Sequence, residues 1–365
     1  MTFRSFIRYA ILLPCSKLYG IGVCVRNKMF DWKILRQHTF GVPVVVVGNI
    51  AVGGTGKTPH VEYILGEMRN THHVAFLSRG YKRRTKGFVL ATSKSTPRDI
   101  GDEAYQIYSK FGGDVVVAVC EDRVHGIREL LNIDPAISMV VLDDAFQHRY
   151  VRPTAAVVVT EYNRPVFDDH LLPFGRLRES VRALNRADIV VVSKCPERLK
   201  PMDYRIFSNN INLFPYQSLF FSRYVYQPLQ PLFPDAVSRI PYLDWLGADD
   251  TVLAVAGIGN PRPFVRYLKS FDYKVKVNVY ADHHDYTRKD MENIRRRYAA
   301  MRGKSKIIVT TEKDAVRLSC NPYFPHELKA VTFYLPIKVD FDAVGGGADG
   351  FSEAMRVALK NNNPD

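Results

Sequence analysis

The stretch that decides the fold is PVVVVGNIAVGGTGKTPHVEYILGEM, residues 43–68. Residues 44–47 are a β-branched run typical of a buried strand, residues 48–56 are rich in glycine, and a helical pattern begins at Lys57. A strand, a glycine-rich loop and a helix, in this order, are the setting in which a Gly-Lys-Thr sequence binds nucleotide phosphates. The sequence therefore predicts a P-loop.

Each part of the predicted loop has an expected task. Backbone N–H groups and the helix N-terminus would face the phosphates, and the lysine would reach the β- and γ-phosphates. The hydroxyl of Thr58 would ligate Mg²⁺. The expected nucleotide-binding residues are Gly53, Gly54, Thr55, Gly56, Lys57 and Thr58.

One position departs from the usual pattern. G-x-x-x-x-G-K-[ST] places its first glycine at position 51, which is Ala51 here. Gly48, Gly53 and Gly54 keep the loop rich in glycine. We expect a loop that differs in detail while its Gly-Lys-Thr end works normally.

A second phosphate-site element is expected where a hydrophobic strand ends in aspartate. MVVLDDAFQH, residues 139–148, supplies Asp143 and Asp144 at that point. Beside a P-loop, the pair is predicted to hold Mg²⁺ directly or through water, with Asp143 the first candidate. The alternative is that the two carboxylates merely start a turn.

The base of the nucleotide is indicated by the end of a later strand. Guanine-binding relatives of P-loop proteins read the base with [NT]KxD. The comparable sequence here is VVVSKCPE, where Lys194 is present and Pro196 replaces the aspartate. This favours ATP over GTP.

Three further segments carry candidate catalytic or binding side chains. IGDEAYQI places Asp102 and Glu103 at a helix start, where a kinase could use a carboxylate on the acceptor hydroxyl and where capping is the alternative. YADHHDY, residues 280–286, could bind metal, but neighbouring histidines on a strand point oppositely. LLPFGRLRES, residues 171–180, offers arginines suited to phosphate, or is a surface loop.

Short apolar runs alternate with helical patterns along most of the chain, which predicts a parallel sheet covered on both faces. We expect an α/β protein with a P-loop NTPase-like core and a mainly parallel sheet, plus a second smaller α/β domain. Predicted strands of the core are 43–47, 74–78, 115–120, 139–143, 155–160 and 189–193, and its helices are 57–69, 102–111, 123–131 and 181–186. In the second series the strands are 252–256, 273–279, 306–310 and 331–335, and the helices are 263–270, 288–301 and 351–359.

These elements predict four regions. They are an N-terminal helical segment (1–30), a P-loop core (31–206), a connecting segment without clear helix that could form a hairpin (207–240), and a second α/β lobe with a C-terminal helix (241–365).

Composition bounds the compartment and the partners. The five scattered cysteines contain no C-x-x-C and favour a reducing compartment. A net charge of +14 favours anionic surfaces. Residues 7–25 are apolar but contain charges and Pro14, so a spanning helix is not expected. An amphipathic segment on the cytoplasmic membrane face and an ordinary packed helix both remain open.

Together these motifs resemble one family, the tetraacyldisaccharide 4′-kinases, which are the lipid A 4′-kinases of Gram-negative bacteria. The similarity covers nearly the whole chain. In order it rests on VVVVGNIAVGGTGKTPHV, SRGYKRR, GDEAYQI, VVLDDAFQHR, LLPFGRLRES, GIGNPRPF, YADHHDYT and TTEKDAVRL. In such kinases the position of Ala51 is likewise not glycine.

The resemblance implies transfer of the ATP γ-phosphate to the 4′-hydroxyl of a tetraacylated disaccharide 1-phosphate at the cytoplasmic face of the inner membrane. By motif, it implies that Asp102 is the catalytic base with His283 as its partner, and that Lys57 stabilises the transferring phosphoryl. It implies a Mg²⁺ site and a substrate site, whose residues are Thr58, Asp143 and Asp144 for the metal and Arg178 and Glu179 for the substrate. A peripheral monomer is expected, with no nucleic-acid partner.

Two other classes compete with a kinase. A P-loop GTPase switch or metal-insertion chaperone would want a guanine-specific aspartate and metal-ligand clusters, and neither is evident. A nucleic-acid-binding ATPase is suggested by the charge, but no nucleic-acid module is recognisable.

Overall fold

The computed structural model describes residues 8–344 and 346–362. Within those residues the chain forms fourteen strands, which are β1 Val44–Gly48, β2 Val74–Ser78, β3 Val89–Leu90, β4 Val115–Val119, β5 Met139–Asp143, β6 Ala155–Glu161, β7 Ile189–Ser193, β8 Ser218–Tyr226, β9 Gln230–Pro231, β10 Thr251–Ala256, β11 Lys274–Val279, β12 Lys306–Thr311, β13 Thr332–Leu335 and β14 Ile337–Phe341. Nine of them form one sheet in the order β14-β8-β7-β6-β1-β5-β2-β4-β3, and the other five form a second sheet in the order β11-β10-β12-β13-β9.

Ten α-helices lie within the same described residues. They are α1 Leu13–Asp31, α2 Lys57–Met68, α3 Pro97–Ile100, α4 Asp102–Phe111, α5 Arg123–Ile133, α6 Pro201–Ile211, α7 Arg262–Leu268, α8 Arg288–Ala299, α9 Glu312–Ser319 and α10 Gly347–Asn361. A π-helical turn, Arg8–Leu12, precedes α1.

Both sheets are mainly parallel, and apolar side chains cover both faces of the larger one. In β1, Val44 and Val46 pack into one buried cluster, while Val45 and Val47 pack into the cluster on the opposite face. Strands buried on two faces must be apolar at every position, which is why the sequence shows continuous β-branched runs. The predicted fold class is confirmed.

The connecting segment differs from its prediction. It contains no hairpin; it opens with the end of α6, whose Phe207 and Ile211 are buried, and continues into β8. β8 joins the large sheet, parallel to β7 and antiparallel to β14. The prediction of a hairpin was wrong because β8 pairs with β14, more than a hundred residues further along the chain. Local sequence does not show such a distant partner.

The end of the chain also lies elsewhere than expected. β14 returns to the large sheet beside β8, and the side chains of Phe351 and Met355 on α10 are buried against that sheet. The C-terminal strand and helix therefore pack with the P-loop core, and not with the second lobe in which residues 241–365 were placed. The predicted helix at Val181–Arg186 is a 3₁₀ segment.

Candidate active site

The P-loop leaves β1 at the centre of the large sheet, next to the end of β5. The register pairs Val47 with Asp143, so the loop and the acidic pair meet at the carboxyl ends of adjacent parallel strands. Ligands of open α/β sheets bind at this edge. The structure thus brings together two motifs that lie about ninety residues apart in the chain.

Glycine is required at the end of the loop. Gly56 has a φ of 93°, in the left-handed region, and a Cβ added there would lie 1.8 Å from the hydroxyl oxygen of Tyr224. Gly53 has a φ of 109°. Lys57 then begins α2, so the loop leads directly into the N-terminus of a helix. Anions bind at helix N-termini because the first backbone N–H groups there have no partner in the helix.

Ala51 occupies a different kind of position. It is buried and forms an antiparallel bridge with Leu177. The flanking hydrogen bonds run from the Val52 N–H to the Arg176 carbonyl at 2.8 Å and from the Arg178 N–H to the Ile50 carbonyl at 2.7 Å. The first part of the loop is therefore a short strand against the LLPFGRLRES segment, where any small L-residue fits.

Side chains from other elements hold the second half of the loop. The Asn49 amide donates to the Thr55 hydroxyl at 2.8 Å, and the Ser193 hydroxyl donates to the Thr55 carbonyl at 2.6 Å. Lys194 donates to the Gly54 carbonyl and pairs with Glu161 at 3.3 Å. The loop is thus held by side chains at the ends of β1 and β7.

Asp144 forms ion pairs with two cationic side chains of the site. Its carboxylate lies 3.3 Å from Lys57 Nζ and 3.0 Å from Arg178 Nη1. Burial alone would raise the pKa of this carboxyl, but the two cations outweigh burial and hold the pKa below its ordinary value. The structure therefore joins three predicted site residues from the loop, the end of β5 and the LLPFGRLRES segment.

Asp143 is the buried member of the pair. One of its oxygens, Oδ1, is buried and has no hydrogen-bond partner within residues 8–344 and 346–362. Burial raises the pKa of this carboxyl to about 7, against the opposing effect of Lys57. A buried carboxylate oxygen without a partner is costly, and a divalent cation or its water would satisfy it. This donor set fits Mg²⁺, and Thr58 is the second residue of α2.

Asp102 and His283 meet across the two sheets. Asp102 is the first residue of α4, and its Oδ2 lies 3.3 Å from Nδ1 of His283, which follows β11 and has a φ of 57°. The charge of the neighbouring Glu103 adds to the burial that raises the pKa of Asp143. The two predicted catalytic side chains are therefore in contact, and this contact joins the two lobes.

The two adjacent histidines turn to different partners. His284 Nε2 bonds Asp290 at 3.0 Å, and its ring stacks on Tyr280 at 4.7 Å. Among the described residues, no group of three or more His, Cys, Asp or Glu side chains is placed to hold a metal ion.

Glu179 lies deeper than a substrate-binding residue would suggest. It is 1% exposed, and its Oε2 accepts from Asn27 at 3.0 Å and from Arg186 at 2.5 Å. Asn27 belongs to α1, so this carboxylate ties the N-terminal helix to the loop that carries Arg178. Its role in substrate binding stays a prediction.

Two charged residues of the site had no role in the sequence interpretation. Arg317 Nη2 lies 2.6 Å from Asp102 Oδ2, and Lys313 Nζ lies 3.1 Å from both His283 Nε2 and Glu103 Oε1. Both come from the TTEKDAVRL motif. Their spacing of four residues, which places two cations on one face of a helix, was the available signal.

A glycine-rich loop closed by Gly-Lys-Thr, with carboxylates at the end of the adjacent parallel strand, defines a P-loop protein that binds a nucleoside triphosphate. Residues 8–354 match the family model LpxK, tetraacyldisaccharide-1-P 4′-kinase. The chain belongs to this family.

Relatives and a solved structure agree. A tetraacyldisaccharide 4′-kinase of Bacteroides thetaiotaomicron is 49% identical over 337 residues, covering 90% of this chain and 88% of the relative. One from Porphyromonas gingivalis is 42% identical over 334 residues, covering 90% and 91%. A crystal structure of "apo" form LpxK from Aquifex aeolicus in complex with ATP is 26% identical, with a TM-score of 0.73, and covers 97% of this chain and 99% of that one.

Proposed function

We propose that this protein transfers the γ-phosphate of ATP to the 4′-hydroxyl of a tetraacyldisaccharide 1-phosphate, with Mg²⁺, at the cytoplasmic face of the inner membrane. Family membership makes the chain a tetraacyldisaccharide 4′-kinase of lipid A biosynthesis. The observation that supports the division of roles is the contact of Asp102 with His283 between the two lobes.

The donor half of the reaction is assigned to the large sheet. Gly53, Gly54, Thr55 and Gly56 give backbone N–H groups to the phosphates, and Lys57 neutralises charge that develops on the transferring phosphoryl. The Lys57 ammonium lies 3.3 Å from Asp144 Oδ1, beside the carboxylate pair proposed for the metal.

Thr58, Asp143 and Asp144 are the residues proposed to hold Mg²⁺. The ion, when bound, would neutralise phosphate charge and favour the in-line geometry of transfer. The unpartnered Oδ1 of Asp143 supports this assignment.

The acceptor half is assigned to Asp102 and His283. The acceptor oxygen forms the new P–O bond as the bond from the γ-phosphorus to the β–γ bridging oxygen breaks. ADP leaves with that bridging oxygen, and the hydroxyl proton passes to the Asp102 carboxylate. Phosphoryl transfer has a loose transition state, so orientation of the hydroxyl matters more than early removal of its proton. Asp102 is proposed to orient that hydroxyl, and His283 to hold the carboxylate from the second lobe. Arg178 is proposed to meet a phosphate group of the substrate.

The N-terminal helix is proposed to bring the enzyme to its lipid substrate. Leu18, Ile21 and Val25 of α1 are each more than half exposed, in a protein of net charge +14. Among the described helices, none is long and apolar enough to cross a bilayer. An apolar strip beside cations would lie in the interface of an anionic membrane. We propose peripheral association as a monomer, which light scattering of the purified protein would test.

The proposal is tested by incubating purified protein with radiolabelled ATP, Mg²⁺ and the lipid disaccharide acceptor in mixed micelles. We expect transfer of label to the lipid, with ATP preferred over GTP and loss of transfer on chelation of Mg²⁺. The matched control is Gly56→Ala, in which the added Cβ meets Tyr224. An absence of lipid product from the folded wild-type protein at every Mg²⁺ concentration would refute the activity.

A further inference from the structure

Arg317 reaches the Asp102 carboxylate from the second lobe. It lies on α9, which follows β12 and packs against α4 of the large-sheet lobe. Its side chain is 9% exposed. A buried guanidinium in contact with a carboxylate of the reaction centre restricts the orientations that this carboxylate can adopt.

Three nitrogen atoms around Asp102 all approach the same carboxylate oxygen. Arg317 approaches Oδ2 with Nε at 2.8 Å and Nη2 at 2.6 Å, and His283 Nδ1 approaches it at 3.3 Å. In the part of the chain that the structure describes, Oδ1 of Asp102 receives no hydrogen bond. One oxygen is therefore saturated, and the other is left for an outside donor.

The guanidinium is itself held firmly on the second lobe. Arg317 Nη1 lies 3.3 Å from Asp314 Oδ1 and 3.4 Å from the Gly257 carbonyl. Asp314 is fully buried and accepts from the Thr311 hydroxyl at 2.7 Å and the Gly257 N–H at 2.9 Å. Arg317 thus cannot follow Asp102 freely, so it fixes where the carboxylate lies.

His283 is held between two cations of α9. Lys313 Nζ lies 3.1 Å from its Nε2, and Arg317 Nη2 lies 3.1 Å from its Nδ1, the same ring nitrogen that lies 3.3 Å from Asp102 Oδ2. Arg317 therefore contacts both members of the Asp102–His283 pair, and its guanidinium reinforces one orientation of the carboxylate.

We propose that Arg317 is a positioning residue for phosphoryl transfer, which occupies Oδ2 of Asp102 and so directs Oδ1 towards the acceptor hydroxyl. This inference rests on the proposed function, in which Asp102 meets that hydroxyl. Arg317 acts through Asp102 and does not touch the substrate. A guanidinium fork suits this task because it binds with two N–H groups and keeps its charge at every relevant pH.

The electrostatics of the cluster agree with the geometry. Burial alone would raise the pKa of Asp102, but the hydrogen bonds from His283 and Arg317 and the charges of Arg317 and Lys313 lower that pKa to about 2. Glu103, paired with Lys313, is the acidic neighbour. Without Arg317 the burial effect gains weight, so the pKa of Asp102 moves up towards or above its ordinary value.

The test compares pH profiles of kcat/KM for the wild type, Arg317→Gln and Arg317→Lys between pH 4.5 and 8. For Arg317→Gln we expect kcat at pH 7 to fall by about 10- to 100-fold at similar KM for ATP, because a misdirected carboxylate impairs the chemical step. In the wild type the pKa of Asp102 lies below this pH range, so an acidic limb due to Asp102 should enter the range only for Arg317→Gln. Arg317→Lys should restore part of the rate, since it returns the charge without the fork.

The matched control is Glu312→Gln on the same helix. It removes the Lys110–Glu312 pair between the lobes and leaves the Glu62–Lys110 pair, without touching Asp102. If Arg317 only holds the lobes together, both variants lose activity alike and neither shifts the acidic limb; that result overturns the inference. An Arg317→Gln profile and rate equal to the wild type overturn it as well.

A second readout does not depend on activity. Carboxyl ¹³C shifts of labelled aspartate, assigned with Asp102→Asn, report the ionisation of Asp102 in each folded variant. A higher pKa in Arg317→Gln and a wild-type value in Glu312→Gln support the inference; equal values in all three proteins contradict it. If the wild type phosphorylates no lipid, the proposed function fails while this titration still decides the influence of Arg317 on Asp102.

Discussion

Ala51 is explained by its backbone partner. The position forms a bridge with Leu177, and two hydrogen bonds flank it. Glycine would add conformational freedom to the unfolded chain and remove a buried methyl group. For Ala51→Gly we expect a loss of about 0.5–1 kcal/mol in the free energy of unfolding, with a KM for ATP within about threefold of the wild type.

Denaturant unfolding and ATP-dependent kinetics measure the two effects. Gly56→Ala is the matched contrast, because it adds the same methyl group where a positive φ and Tyr224 forbid it. ATP binding should be lost there. Markedly tighter ATP binding by Ala51→Gly would contradict the role given to the bridge.

Asp102→Ala tests the acceptor half at the scale of a single side chain. The orienting carboxylate is removed while the phosphate loop is untouched, so kcat should fall by about 100-fold or more and KM for ATP should change little. Steady-state kinetics with the lipid acceptor measure both constants. An unchanged kcat would remove Asp102 from the mechanism.

At the scale of the element, the N-terminal helix packs on the LLPFGRLRES segment. Tyr19 donates to the Arg178 carbonyl at 2.9 Å, and Ser16 donates to the Leu171 carbonyl at 2.7 Å. α1 therefore sits directly on the loop that carries Arg178. Residues 1–7 of the predicted membrane-facing segment lie outside the described structure.

The double substitution Leu18→Ser with Ile21→Ser should weaken binding to anionic vesicles by about tenfold or more, since it removes apolar area from the exposed side of α1. Flotation with vesicles of anionic and zwitterionic lipids is the measurement. Ile133→Ser is the matched control, because Ile133 is an aliphatic residue on α5 with 52% exposure. Equal flotation of all three proteins would exclude α1 as the contact.

Helix α2 carries a pH-dependent element below the phosphate loop. His60 is buried and bonds the Gly56 carbonyl at 2.8 Å and the Ser222 hydroxyl at 2.9 Å. Burial lowers its pKa from 6.5 to about 4. Between these values the unfolded chain takes up a proton that the folded chain does not, so stability falls as the pH drops from about 6.5 to 4.

The loss assigned to His60 is at most about 3 kcal/mol. We expect His60→Gln to reduce the pH dependence of the free energy of unfolding over this window, measured by urea titration at successive pH values. His125→Gln, at an exposed position, should keep the wild-type slope. A His60→Gln slope equal to the wild type would contradict the assignment.

On the scale of the whole molecule, the last strand and helix of the described structure return to the large sheet. β14 and α10 close the edge of the large sheet, where Phe351 lies 4.5 Å from Phe341 and 5.5 Å from Phe220, measured between ring centroids. Phe351→Ala should cost about 3–5 kcal/mol, as a large cavity forms in a packed core. Val357→Ala, exposed on the same helix, should cost less than about 0.5 kcal/mol.

Hydrogen exchange locates the damage of Phe351→Ala. Faster exchange should appear first in β6, β8 and β14 of the large sheet, because α10 packs there. Faster exchange confined to β10 and β12 would place the C-terminal helix with the second lobe, as the sequence had suggested.

Local sequence patterns were sufficient to predict the elements whose own residues form a distinctive pattern. Continuous β-branched runs predicted β1, β5 and β7, since strands covered on both faces admit few polar residues. The P-loop was predictable because its glycines, lysine and threonine act through adjacent backbone atoms. β8 and β14 were less readable, since each is defined by a partner more than a hundred residues away.

By itself the sequence determined the alternation of strands and helices, the phosphate loop, the acidic pair after β5 and the family. The tertiary structure alone decided that Ala51 bridges Leu177, that Arg317 and His283 converge on Oδ2 of Asp102, and that the C-terminal helix returns to the large sheet. The physical reason is the separation along the chain over which each kind of interaction acts. Backbone propensity and phosphate binding act between neighbours in the chain, whereas these contacts join residues that only the packing of the two sheets brings together.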